Sequence, residues 1–83
     1  MYRIRVIPRA QKDLDRLRGK GFEAIKETIL QLGKNPRPHG ALKLSGEEGY
    51  RIRVGNMRLL YRIDDKRKEV IIYRIKHRKE AYR

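Results

Sequence analysis

Between residues 50 and 63 the chain alternates apolar and polar side chains twice, with two turn-forming residues between the runs. Tyr50, Ile52 and Val54 are separated by Arg51 and Arg53; Gly55-Asn56 follows; then Met57, Leu59, Tyr61 and Ile63 are interleaved with Arg58, Leu60 and Arg62. A period of two places each set on one face of a strand, and a Gly-Asn pair between two such runs reads as a tight hairpin. A two-residue loop also fixes the register: Val54 faces Met57, Arg53 faces Arg58, Ile52 faces Leu59 and Arg51 faces Leu60. Arg51, Arg53, Arg58 and Arg62 then share one face of the sheet, and the apolar set claims the other for the core.

The rest of the chain supplies a cover for that apolar face. Tyr2, Ile4 and Val6 alternate with Arg3 and Arg5 in a strand that ends at Pro8. Ala10, Leu14 and Leu17 form the stripe of a short helix over Arg9–Arg18, stopped by Gly19. Phe22, Ile25, Ile29 and Leu32 repeat at helical spacing in a second helix, closed by Gly33 and Pro36. Asn35–Gly49 reads as a long Pro/Gly-containing loop, Asp64–Lys68 as a turn, and Val70–Ile75 as a well-covered central strand. The expected fold is α+β, in the order β-α-α-β-β-β: a mainly antiparallel four-stranded sheet with a two-helix hairpin packed on one face. At 83 residues it is expected to be a single domain spanning 1–83. A domain of that size buries only about 60% of its unfolded surface, so its stability margin is thin.

A thin margin makes the arginine face informative. Like charges directly opposite in a sheet destabilise it by roughly 0.2–1 kcal/mol per pair. No folding argument places Arg53 opposite Arg58. The chain carries 23 Lys plus Arg against 10 Asp plus Glu, a formal charge of +13, with the excess concentrated in its second half. Guanidinium groups grip phosphate in a bidentate manner, so the pattern points to a polyanion with closely spaced charges, nucleic acid above all. The competing explanation is a solvated face whose arginines pair with Asp64, Asp65, Glu69 or Glu80. Excess charge gathered on one face favours the binding site.

Other side chains are assigned by the same weighing. Lys12, Arg16, Arg18 and Lys20 read as ordinary helix surface, Phe22 and the leucine stripe as core, Tyr50, Tyr61 and Tyr2 as buried, and His39 as a loop residue without a role. His77 stands at the end of the last strand beside the arginine face, and Tyr82 lies beyond it either as an anchor or as a stacking or proton-carrying group. With no Cys and two His, no metal site, disulfide or Cys nucleophile is expected, and no Gly-rich phosphate loop or Ser/His/Asp arrangement is present. The longest aliphatic run, Val70-Ile71-Ile72, is far short of the about 20 residues needed to span a bilayer, and no apolar leader is visible. A cytoplasmic protein with no membrane partner is the expectation.

The element order, Leu42-Lys43-Leu44-Ser45-Gly46 before the hairpin, Tyr50-Arg51-Ile52-Arg53-Val54, Gly55 through Arg58-Leu59-Leu60-Tyr61, and the closing His77-Arg78-Lys79-Glu80-Ala81-Tyr82-Arg83 together resemble the RelE/ParE superfamily of toxins from toxin–antitoxin systems, close to its RelE-like branch. The resemblance covers the whole length. It implies a ribosome-dependent endoribonuclease that enters the A site and cuts messenger RNA, inhibits translation, and is held inactive by a cognate antitoxin in a hetero-oligomer. It also implies cleavage without metal or other cofactor, by attack of the 2′-hydroxyl on the adjacent phosphate to leave a 2′,3′-cyclic phosphate. By position, Arg51 and Arg53 match the family's paired basic residues, Arg58 its third-strand arginine, and Arg78 and Tyr82 its C-terminal basic residue and tyrosine.

Two departures bear on mechanism. Well-studied members carry lysines where Arg51 and Arg53 stand, and the spacing from Arg78 to Tyr82 is shorter than theirs. Guanidinium stabilises a phosphorane but is a poor proton carrier. Proton transfer then falls to Tyr82, His77, Lys43 or the ribosome, and His77 is attractive because imidazole titrates near neutrality. The expected catalytic set is Arg51, Arg53, Arg58, Arg78, Tyr82 and His77, with Lys43, Arg62, Lys76 and Lys79 as further RNA contacts. The alternatives are a ParE-like inhibitor of DNA gyrase that cuts nothing, and a non-catalytic relative that only binds RNA. The antitoxin would lay an acidic or amphipathic helix on the sheet or add a strand at its edge.

Overall fold

The computed structural model describes residues 1–45 and 49–77. It begins with strand β1 (Arg3–Val6), followed by helix α1 (Pro8–Asp15) and helix α2 (Gly19–Lys34). Pro8 occupies the first turn of α1, where a missing N–H costs nothing. The helix ends at Asp15, earlier than its apolar stripe suggests, because the Arg18 guanidinium turns back to donate to the carbonyls of Asp15 (2.7 Å) and Leu17 (3.0 Å). Gly19, with φ of +58°, makes the left-handed step between the helices and opens α2 rather than merely stopping α1.

Ile25, Ile29, Leu32 and Gly33 form the buried face of α2. Gly33 matters for its lack of a side chain: a Cβ there would lie 3.2 Å from the Tyr2 carbonyl oxygen, and the Tyr2 N–H donates to the Gly33 carbonyl at 2.8 Å. That close approach docks the end of α2 on β1. Phe22, expected in the core, is only half-buried and lies outside the core cluster, beside Leu14 and Leu17 in a shallow surface depression.

The remaining strands are β2 (Leu42–Lys43), β3 (Tyr50–Val54), β4 (Met57–Asp64) and β5 (Glu69–His77). They form a five-stranded mixed sheet in the order β1-β5-β4-β3-β2, with β1 parallel to β5 and the other pairs antiparallel. The four-stranded expectation is thus corrected. The added strand lies inside the segment read as a loop; at two residues it is too short to show a period. The hairpin register is the one its two-residue loop demands, with Arg53 opposite Arg58 and Arg51 opposite Leu60.

The core lies on the helical side of the sheet: Ala10, Ile25, Ile29 and Leu32 from the helices meet Leu59, Tyr61, Val70, Ile72 and Ile75 from β4 and β5. Tyr61 is fully buried, and its phenol donates to the Pro36 carbonyl at 2.8 Å. Burial pushes the phenol pKa up to about 12, so it remains a donor throughout the neutral range. Between Leu60 and Tyr61 the pairing with β5 slips, with Leu60 opposite Arg74 and Tyr61 opposite Ile72, which leaves Tyr73 as the extra residue of a bulge. Asp13 of α1 sits there, accepting from the Arg74 Nε (2.9 Å) and from the Ile75 backbone N–H (3.0 Å).

A second polar cluster ties residues 35–41 to the sheet. The Arg37 guanidinium donates to both carboxylate oxygens of Asp65 (3.3 and 2.9 Å) and to the Tyr50 hydroxyl (3.1 Å), while the Tyr2 phenol donates to Asp65 at 2.6 Å. Hydrogen bonds from Arg37 and then Tyr2 lower the Asp65 pKa from 3.8 to about 2. Because the folded-state value is depressed, the contribution of this carboxylate is fully present above about pH 4 and is lost as pH falls towards 2. Acid titration followed by NMR is therefore expected to release the 35–41 segment between those limits; an Asp65 carboxyl titrating at its ordinary value would contradict this.

A cationic sheet face as candidate nucleic-acid interface

The face of the sheet opposite the helices carries the predicted arginines. Arg53 of β3 pairs with Arg58 of β4, which pairs with Lys76 of β5, giving a row of three cations across three strands. Neighbouring strands are about 4.8 Å apart, so the row presents closely spaced charge. A second row runs Leu42, Arg51 and Leu60 towards Arg74, whose guanidinium is held by Asp13 of α1 and adds nothing to the open cationic patch. Arg53 is exposed, and Arg51, Arg58 and Lys76 are half-buried. Arg62 lies farther along the same face, its guanidinium 5.8 Å from the centre of the Tyr73 ring.

Among the described residues, the acidic side chains that a merely solvated face would require are used elsewhere; Glu80 falls outside them. Asp64 lies 3.9 Å from Arg67, Asp65 binds Arg37 at 2.9 Å, and Glu69 lies 3.8 Å from Arg3. Among the described residues, no carboxylate lies within 4 Å of Arg51, Arg53, Arg62 or Lys76. Such an arrangement suits a chain of phosphates, each guanidinium offering a planar fork of donors.

Two predicted residues are placed differently by the register. Lys43 pairs with Tyr50, on the helical side of the sheet, and it is Leu42 that shares the arginine row. His77 pairs with Met57, one position past the Lys76–Arg58 pair, so it alternates away from the arginine row. It lines a concavity of about 420 Å³ near α1 with Arg9, Asp13, Arg16 and Met57, and Lys76 of the arginine row borders the same concavity. Arg78, Lys79 and Tyr82 fall outside the described residues. Sequence reasoning assigned no role to Leu42, His39 or Arg37. The Leu42-Lys43-Leu44 run held a signal for Leu42, but only strand pairing reveals which of these side chains joins the arginines.

Comparison with known proteins agrees with this architecture. The family described as "ParE toxin of type II toxin-antitoxin system, parDE" matches residues 4–82. Toxin RelG of Mycobacterium tuberculosis is 34% identical over 84 residues, covering 99% of this chain and 97% of that toxin. Among solved structures, the toxin–antitoxin complex RelBE2 from Mycobacterium tuberculosis matches with a TM-score of 0.82 at 34% identity, covering 93% of this chain and 98% of the other. The archaeal RelE–RelB complex from Pyrococcus horikoshii matches with a TM-score of 0.79 at 26% identity, covering 93% and 94%. The chain therefore belongs to the ParE toxin family of type II toxin–antitoxin systems, within the RelE/ParE superfamily.

Proposed function

We propose that this toxin is a ribosome-dependent messenger-RNA endoribonuclease. The observation that carries the reading is the Arg53–Arg58–Lys76 row beside Arg51, on a face that no helix covers among the described residues. In the proposed reaction the 2′-oxygen of one nucleotide attacks the adjacent phosphorus, the 5′-oxygen leaves, and a 2′,3′-cyclic phosphate forms. Arg51, Arg53 and Arg58 hold the phosphate and stabilise the charge that builds on its equatorial oxygens. Fixed cations serve that task without a metal.

Each turnover moves two protons, one off the 2′-hydroxyl and one onto the leaving oxygen. Arginine stays protonated and does neither. His77 stands one register position out of the row, which favours Tyr82 or the ribosome as the proton carrier, with Arg78 and Lys79 as further phosphate contacts. The protein partner we infer is a cognate antitoxin, since the matching solved structures from Mycobacterium tuberculosis and Pyrococcus horikoshii are toxin–antitoxin complexes. Its acidic or amphipathic segment would neutralise the toxin by covering the arginines or by displacing the tail that bears Tyr82. Such a toxin acts in the cytoplasm, where translating ribosomes are.

The family description also names the parDE toxin, and this supports a second reading as a gyrase inhibitor that cuts no RNA. Primer extension on messenger RNA after induction separates the two. Discrete cuts in frame are expected for the nuclease; intact transcripts accompanied by DNA breaks would establish the second reading instead.

A further inference from the structure

We propose that the concavity between the His39–Leu42 segment and the outer edge of β3 is a nucleobase subsite, so that the toxin holds a base as well as phosphates. The inference rests on reading the arginine face as an RNA site. The concavity has a volume of about 520 Å³ and is lined by His39, Gly40, Leu42, Arg51, Ile52 and Arg53. Its position follows from the shortness of β2, which pairs only with Tyr50 and Arg51 and leaves the β3 edge from Ile52 onward without a described strand neighbour.

Three observations suit it to a base. Leu42 is a large apolar side chain left 53% exposed, and its register opposite Arg51 puts it on the arginine face. His39 lines the same concavity with a ring that can stack on a base, while the Arg51 and Arg53 guanidinium planes can stack on it or hold its flanking phosphates. The wall opposite β3 is also built in advance. Pro36 is held by the Tyr61 phenol, Arg37 by Tyr50 and Asp65, the Arg37 N–H by the Asn35 side chain at 3.2 Å, and the Ala41 N–H by the Pro38 carbonyl at 3.0 Å. A wall fixed this way spends little ordering entropy on binding. Unpaired base edges would then meet the β3 backbone from Ile52 onward, which has no strand partner on that edge among the described residues.

The test compares two probes against the full chain: a single-stranded RNA tetranucleotide and an abasic ribose-phosphate chain with the same number of phosphates. Affinities and backbone amide shifts are measured for the wild type and for Leu42→Ala and His39→Ala, both exposed positions that the fold does not depend on. The RNA is expected to move the amide signals of Ile52 and Arg53 where the abasic chain does not. Leu42→Ala is expected to weaken RNA binding about tenfold, leaving the abasic affinity unchanged. Equal affinities for the two probes, or a Leu42→Ala variant that binds both as the wild type does, overturns the base subsite while the phosphate grip stands. Failure of both probes to bind removes the RNA reading of the whole face. Base-dependent binding in a protein that cuts no message would leave the subsite in place and remove only the nuclease.

Discussion

Arg58→Ala is expected to abolish growth arrest while leaving the protein folded and able to bind its antitoxin. Arg58 stands at the centre of the cation row, between Arg53 and Lys76, so a phosphate gripped by that row lies within its reach. Removing one preorganised donor from a transition state typically costs 10²–10³ in rate, an effect of about 3–4 kcal/mol on the barrier. Arg58 lies on the face away from the core cluster, so the variant should keep the fold. Growth curves after induction, beside a thermal melt of the purified variant, read both effects. Undiminished toxicity from a well-folded Arg58→Ala protein would remove Arg58 from the catalytic set.

The second large effect is expected on the helical side. Asp13 is 8% exposed and accepts from both the Arg74 guanidinium and the Ile75 backbone N–H, at the point where β5 bulges. Arg9 adds a weaker approach at 4.0 Å. Asp13→Ala would leave a half-buried guanidinium and a buried amide without their acceptor, a loss that typically costs about 3–5 kcal/mol. Total stability for domains is about 5–15 kcal/mol, so a fall in Tm of more than 10 °C is expected for so short a chain. Asp13→Asn keeps an oxygen for the Ile75 N–H and should lose distinctly less. An Asp13→Ala variant melting with the wild type would show that the bulge holds without its carboxylate.

What the sequence disclosed and what it concealed divide along a physical line. The hairpin was legible because a two-residue loop and a period of two fix every partner from Tyr50 to Tyr61 without reference to the rest of the chain. The helices were legible as stripes, although Gly19 and Arg18 redrew their ends. Hidden were the pairings set by tertiary contact. Asp13 meets Arg74 and Arg37 meets Asp65 across long stretches of chain, and each reads locally as ordinary surface charge. The face of Lys43 depended on β2, whose two residues carry no period, so a lysine was assigned to the RNA side where the register puts Leu42. His77 is next to the arginine face in sequence, but strand alternation puts it one position out of the Arg58–Lys76 row, opposite Met57.

The proposed function requires the arginine face to grip the phosphates of an RNA chain, and salt tests this directly. The affinity of the purified toxin for a short single-stranded RNA, measured over a range of salt, falls with a slope of about 0.7 on logarithmic axes for each phosphate neutralised. Replacing Arg51, Arg53 and Arg58 together by alanine should weaken binding and flatten that slope by about 2, three contacts at about 0.7 each. A triple variant with the wild-type affinity and the wild-type slope would show that RNA does not lie on this face.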